Sequence, residues 1–211
     1  MYEKYIDHTN LKPDSTYEDI KKLVDEAKEY KFATVCVNPC RVKIASEMLK
    51  DTEVGVTTVI GFPLGANTIE TKVFETTDAI KNGATEIDMV INIGKLKEKD
   101  SDYLKEEISR IKETCKDKIL KIIIETALLD EEEKILISSI CIECGVDYVK
   151  TSTGFNGGGA TVEDVKLIKS IVKDKCKIKA SGGIRDREFM EKLIDAGADR
   201  IGASASVKLI K

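Results

Sequence analysis

A chain of 211 residues that is 42% hydrophobic and 34% charged can bury one sizeable core under a well-solvated surface, so one domain over residues 1–211 is expected. The net charge of -4, from 34 basic and 38 acidic residues spread along the chain, includes no basic block able to neutralise a run of phosphates, which argues against a nucleic-acid partner. No stretch approaches the ~18 apolar residues of a membrane span, and the first residues lack a basic region followed by an apolar one; a cytoplasmic protein without a membrane partner is expected.

Short apolar runs bounded by turns alternate with amphipathic segments to the end of the chain. The runs fall near residues 5–9, 33–38, 55–60, 86–91, 120–125, 147–151, 177–181 and 200–203. Eight strands with intervening helices make an α/β chain, a (β/α)8 TIM barrel, at about 26 residues per unit against a usual total of ~250. Helix starts are read at Ser15-x-x-Glu18, Asp130-x-x-Glu133 and Thr161-x-x-Asp164, where a capping side chain faces a reciprocating carboxylate three residues on. In the first helix Ile20, Leu23, Val24 and Ala27 form one apolar stripe. Gly83, Gly145 and Gly197 each stop a helix just before the next strand.

Six cysteines in a chain without an export signal read as reduced thiols. Cys141 and Cys144 form the one Cys-x-x-Cys, inside an apolar helical pattern, and His8 is the sole histidine, so helix packing is preferred to a metal site.

Strands covered by helices outside and packed side chains inside should read as Val, Ile and Leu. Strand four instead carries Asp88, strand six Lys150 and strand seven Lys179. A bland reading makes them a buried ion network, or strand-end charges that snorkel to water, as Lys121 at the start of strand five is expected to do. Two lysines and a carboxylate converging inside one barrel favour a reactive site, since such groups perturb each other's proton affinities. A lysine nucleophile needs that perturbation, because free lysine is almost wholly protonated at neutral pH. After the last strands come Gly154, Gly157-Gly158-Gly159, Gly182-Gly183, and Gly202 with Ser204. Loops after strands seven and eight of a barrel often bind phosphate through backbone N–H groups, so a phosphorylated small molecule is expected.

The blocks Ile6-Asp-His-Thr-Asn-Leu11, Val59-Ile-Gly-Phe-Pro-Leu-Gly65, Glu86-Ile-Asp-Met-Val-Ile-Asn-Ile-Gly94, Val149-Lys-Thr-Ser-Thr-Gly-Phe155, Lys179-Ala-Ser-Gly-Gly-Ile-Arg185 and Arg200-Ile-Gly-Ala-Ser204 resemble the deoxyribose-phosphate aldolase family from the first strand to the last. The resemblance implies a class I aldolase, without metal or external cofactor, that reversibly cleaves 2-deoxy-D-ribose 5-phosphate to acetaldehyde and D-glyceraldehyde 3-phosphate. It implies that Lys150 is the Schiff-base lysine, Lys179 the cation lowering its proton affinity, and Asp88 the carboxylate of the proton relay. It further implies substrate contacts at Thr153, Gly182, Gly183, Gly202 and Ser204, and at Asp7 and Thr9 at the mouth of strand one. Cys36, at the end of strand two, reads as a packed core cysteine, with a mouth-facing thiol as the alternative.

Some members of that family have a lysine where this chain has Phe155, and paired serines where it has Ser204-Ala205, so the phosphate grip is expected to lean on backbone amides. The chain stops at Lys211 without the longer tail and terminal tyrosine that some members place over the site, which leaves proton transfer to Asp88, Lys179 and water. The helix after strand eight is at best a stub, and self-association is expected to cover the exposed wall. Another Schiff-base barrel, such as a transaldolase-like or larger-sugar aldolase, would share the lysine and phosphate loops. A non-catalytic phosphosugar-binding barrel would need the loops alone.

Overall fold

A computed structural model describes residues 2–211. Eight parallel strands close into a barrel in sequence order, β1 (Ile6–Asn10), β2 (Thr34–Val37), β3 (Gly55–Ile60), β4 (Glu86–Val90), β5 (Ile119–Ile123), β6 (Tyr148–Lys150), β7 (Lys177–Ser181) and β8 (Arg200–Ala203). Closure is made by β1 against β8, with Ile6 opposite Ile201 and Asp7 opposite Gly202. Among the described residues nine α-helices stand outside: α1 (Tyr17–Tyr30), α2 (Val42–Met48), α3 (Ile69–Lys81), α4 (Ile93–Lys97), α5 (Ser101–Cys115), α6 (Glu131–Glu143), α7 (Val162–Val172), α8 (Arg187–Asp195) and α9 (Ser206–Ile210).

Because side chains alternate across a strand, each strand feeds two environments. The outward set, including Ile87 and Met89 of β4, Leu120 and Ile122 of β5, and Ile178 and Ala180 of β7, joins the apolar stripes of the helices in one continuous core. From α1 that core takes Ile20, Leu23, Val24 and Ala27, the stripe read in the sequence. The inward set holds the charges. Cys141 is buried in the core, and all six cysteines are free.

The helix ends follow local chemistry, with one displacement. The first capping box is not Ser15 with Glu18 but Thr16 with Asp19: the Thr16 hydroxyl accepts from Asp19 N, and Asp19 accepts from Thr16 N at 2.8 Å. Ser15 is instead turned towards Asn10, donating to its Oδ1 at 2.7 Å, which removes it from the helix start. Asp130 and Glu133 form the expected box on α6. Thr161 caps α7 by accepting from Asp164 N, while the Asp164 carboxylate pairs with Lys134 at 2.7 Å rather than reciprocating. The helix after β8, α9, is five residues long.

Candidate active site

Lys150 is the last residue of β6, in register with Lys179 on β7 and Ile123 on β5. Its Nζ lies 2.8 Å from Asp88 Oδ2, and Lys179 Nζ lies 2.7 Å from the same oxygen. Lys121 Nζ lies 2.9 Å from the other oxygen, Oδ1. One buried carboxylate thus holds three lysines. The sequence reading expected Lys121 to snorkel to solvent; it is fully buried, because β5 begins at Ile119 and Lys121 shares the inward face with Ile123. Below it Lys121 pairs with Glu86.

Asp7 was expected at the mouth of strand one and is instead sealed inside the barrel. As the second residue of β1 it turns inward, where Lys179 Nζ reaches its Oδ2 at 2.6 Å, Arg200 Nη1 its Oδ1 at 2.6 Å, and the Thr34 hydroxyl donates to Oδ1 at 2.8 Å. Arg200 also reaches Glu86 Oε2 at 3.3 Å, and the Thr57 hydroxyl donates to Glu86 at the same distance. Asp7, Glu86, Lys121 and Arg200 therefore continue the Asp88–Lys150–Lys179 cluster towards the other end of the barrel. Sequence reading missed Glu86 and Arg200, each the first residue of its strand, where a charge passes for an ordinary boundary.

Burial disfavours every charge here, and the partners decide the outcome. For Lys150, burial opposes Asp88 and, with help from the Lys179 ammonium, outweighs it, so that its proton affinity falls below that of ordinary lysine. For Lys179 burial is overcome by Asp7 and Asp88, which hold its ammonium well above the usual range. Asp88 opposes burial with Lys121, Lys150 and Lys179 and stays well below the usual carboxylate range. Burial also raises the Cys36 thiol; this cysteine packs with Leu11, Val59 and Phe62 below the mouth, the core position expected of it.

Above the lysines a cavity of about 510 Å3 opens at the strands' C-terminal ends, with Lys150 and Lys179 at its base and Thr9, Thr153, Gly182, Gly183, Gly202 and Ser204 among its lining. Asp88 and Asp7 lie beneath, outside the lining. The loops after β6 and β7 touch through glycine: a Cβ on Gly159 would meet the Gly182 carbonyl oxygen at 2.4 Å. That approach lets Ala160 N donate to Ser181 O at 3.0 Å, and Gly182 and Gly183 hold left-handed φ values of 84° and 75°. Gly202 makes room for Lys179, since a Cβ there would come within 3.0 Å of its Cε. Thr9 donates to the carbonyl of Asp7 at 2.8 Å.

The Thr153 hydroxyl is already engaged, donating to Glu125 Oε2 and accepting from Phe155 N at 3.0 Å. Glu125, buried just past β5 in a left-handed conformation at φ 57°, also accepts from Thr153 N at 3.1 Å and Asn156 Nδ2 at 2.8 Å. It thereby pins the loop that follows Lys150. Its partners lie 28 to 31 residues away in sequence, so nothing local revealed it. Phe155 is half-exposed and stands edge-on to Phe62 with ring centroids 5.2 Å apart, giving the cavity an apolar lip. The exposed cations Lys12 and Arg185 also line it. His8 faces outward, its Nε2 2.7 Å from Glu26 and its Nδ1 2.9 Å from the Ser206 hydroxyl. Among the described residues no cluster of His, Cys, Asp and Glu could hold a metal ion, and no helix is long and apolar enough to cross a membrane.

The family model of DeoC/LacD family aldolases matches residues 2–207. The chain belongs to that aldolase family. The deoxyribose-phosphate aldolase of Staphylococcus carnosus is 59% identical over 210 residues, covering 100% of this chain and 96% of that one. The enzyme of the same name from Caldanaerobacter subterraneus is 58% identical over 211 residues, covering 99% and 91%. Among solved structures, the deoxyribose phosphate aldolase of Aeropyrum pernix, described as a unique tetramer, superposes with a TM-score of 0.91 at 34% identity, covering 98% of this chain and 88% of that one. As a member of the aldolase family, this chain is a lyase, and its barrel is that of its relatives.

Proposed function

We propose that this aldolase reversibly cleaves 2-deoxy-D-ribose 5-phosphate to acetaldehyde and D-glyceraldehyde 3-phosphate through a Schiff base on Lys150. The observation that carries the reading is the Lys150 amine at the base of the cavity, its proton affinity lowered by burial and by Lys179 while Asp88 sits 2.8 Å away. The neutral amine attacks the open-chain aldehyde carbon to give a carbinolamine. Loss of water, with Asp88 and Lys179 handling the proton, leaves an iminium.

The iminium draws in the electrons of the adjacent carbon–carbon bond once the sugar's third-carbon hydroxyl loses its proton. Glyceraldehyde phosphate departs, and the remaining enamine takes a proton and is hydrolysed to acetaldehyde and free Lys150. No redox step occurs. The backbone amides around Gly182, Gly183 and Gly202 with Ser204 are suited to the phosphate, and Thr9 and Thr153 to the polar edge of the chain. Lys12 and Arg185 would add positive charge at the rim opposite the apolar lip of Phe155. We also propose that the protein works as a homo-oligomer, in line with the tetrameric relative.

Borohydride reduction with acetaldehyde tests the nucleophile. The expected product is an ethyl adduct on Lys150, absent in Lys150→Ala; an adduct formed equally well on the alanine variant would sink the assignment.

A further inference from the structure

With every group ionised, the barrel interior contains, among the described residues, four cations, Lys121, Lys150, Lys179 and Arg200, against three carboxylates, Asp7, Glu86 and Asp88. All seven are at most 8% exposed and joined by ion pairs into one cluster. In so poorly solvated a space an odd charge is only weakly screened, and the loss of one proton removes it. Lys121 touches Asp7, Glu86 and Asp88, Lys179 touches Asp7 and Asp88, and Arg200 touches Asp7 and Glu86. Lys150 has one carboxylate, Asp88, which it shares with two other lysines. The proton leaves the cation with the fewest anions.

We propose that Glu86 and Arg200, which do not line the substrate cavity, are positioning residues that set the proton occupancy of Lys150 through the charge count of the barrel interior. The proposal rests on Lys150 being the Schiff-base amine. It extends that reading from the immediate neighbour Lys179 to a layer below the site. Asp88 of β4, Lys179 of β7 and the thiol of Cys36 of β2 act on Lys150 directly; behind them in the cluster stand Lys121 of β5, Asp7 of β1, Glu86 of β4 and Arg200 of β8, with Tyr148 of β6 accepting from Arg200 at 3.4 Å and the hydroxyl of Thr57 of β3 donating to Glu86. The Cys36 thiol, raised by burial, adds no charge. The count returns during turnover: the free amine leaves the interior balanced, the iminium restores the fourth cation, and the enamine removes it again.

The sign of the effect depends only on the charge removed, which separates it from structural damage. Glu86→Gln deletes an anion and should ease the proton off Lys150, moving the acid limb of the rate of borohydride-trapped adduct formation down by about one pH unit. Arg200→Gln deletes a cation and should move the same limb up by a similar amount. Glu86→Asp and Arg200→Lys keep the count and should leave it near the wild-type position. If either glutamine variant fails to fold, Asp7→Asn supplies the downward shift and Lys121→Met the upward one. Limbs that stay put, or move in one direction for both signs of charge, overturn the proposal. If the wild-type protein forms no adduct on Lys150, the Schiff-base reading has failed; adduct formation with unmoved limbs is a failure of the charge count alone.

Discussion

Two buried clusters of full charges among the described residues solve the same problem in opposite ways. Between α3 and α5, Lys72 and Glu107 pair at 2.6 Å, both wholly inaccessible. Lys72 has three N–H donors and uses all of them, on Glu107, Gly65 O and Val90 O, while Glu107 also accepts from Asn92 N at 2.9 Å. One cation meets one anion and every direction is filled. Inside the barrel, four cations share three carboxylates and one lysine is left weakly held. A balanced and saturated buried pair ties loops together; an unbalanced cluster leaves one proton easy to move. Burial alone does not mark a functional site, since Lys72, buried outside the barrel, is also pushed down by desolvation.

The largest effect should come from breaking the balanced pair. Lys72→Met leaves Glu107 and two carbonyls without their cation, and an uncompensated buried charge costs about 3–5 kcal/mol. Urea unfolding would report it, and the double variant Lys72→Met with Glu107→Met should recover much of the loss. The acid limb of Lys150 trapping should not move in the folded fraction; a shifted limb would erase the distinction between the two clusters. Within the barrel, Lys179→Leu should act on the proton instead. Removing a neighbouring ammonium, and with it part of the neutralisation of Asp88, raises the proton affinity of Lys150. The neutral amine then prevails only at higher pH, and the acid limb should rise by about 1–3 units. An unchanged profile in a folded, active variant would remove Lys179 from its role.

The strands were readable because β-spaced apolar runs end in glycine or capping turns, and Asp88, Lys150 and Lys179 stood out as charges inside such runs. Lys121 did not, because Lys118 and Lys121 flank the start of the run and resemble a solvated boundary, and only the closed barrel fixes which face points inward. Glu86 and Arg200 were hidden for the same reason, and Asp7, named as a residue of the mouth, was placed at the wrong level: each lies at or next to the start of its strand, and their association spans 114 to 193 residues. A charge count needs the whole set, and three members alone gave a triad without its balance. The helix starts were legible to within one residue, the Ser15 reading losing to Thr16 because Asn10, on the preceding strand, captures the serine.

Glu125 gives the smallest and most local comparison, a buried carboxylate satisfied by neutral donors from one loop, Thr153 and Asn156. Its left-handed backbone is a strained choice for a residue with a side chain, of order 1 kcal/mol, and aims the carboxylate at the loop after Lys150. Glu125→Gln keeps the shape but turns its NH2 group towards Thr153 N or Asn156, so at least one of the hydrogen bonds they donate must be lost, at about 1 kcal/mol or somewhat more. The loop carrying Thr153, Gly154 and Phe155 should loosen while the charge count inside the barrel stays as it was. Michaelis constants for the phosphorylated aldehyde should therefore rise several-fold, and the pH limb of acetaldehyde trapping should coincide with that of the wild type. A displaced limb at constant affinity would place Glu125 inside the electrostatic unit, and the division between groups that hold the loop and groups that tune the amine would have to be redrawn.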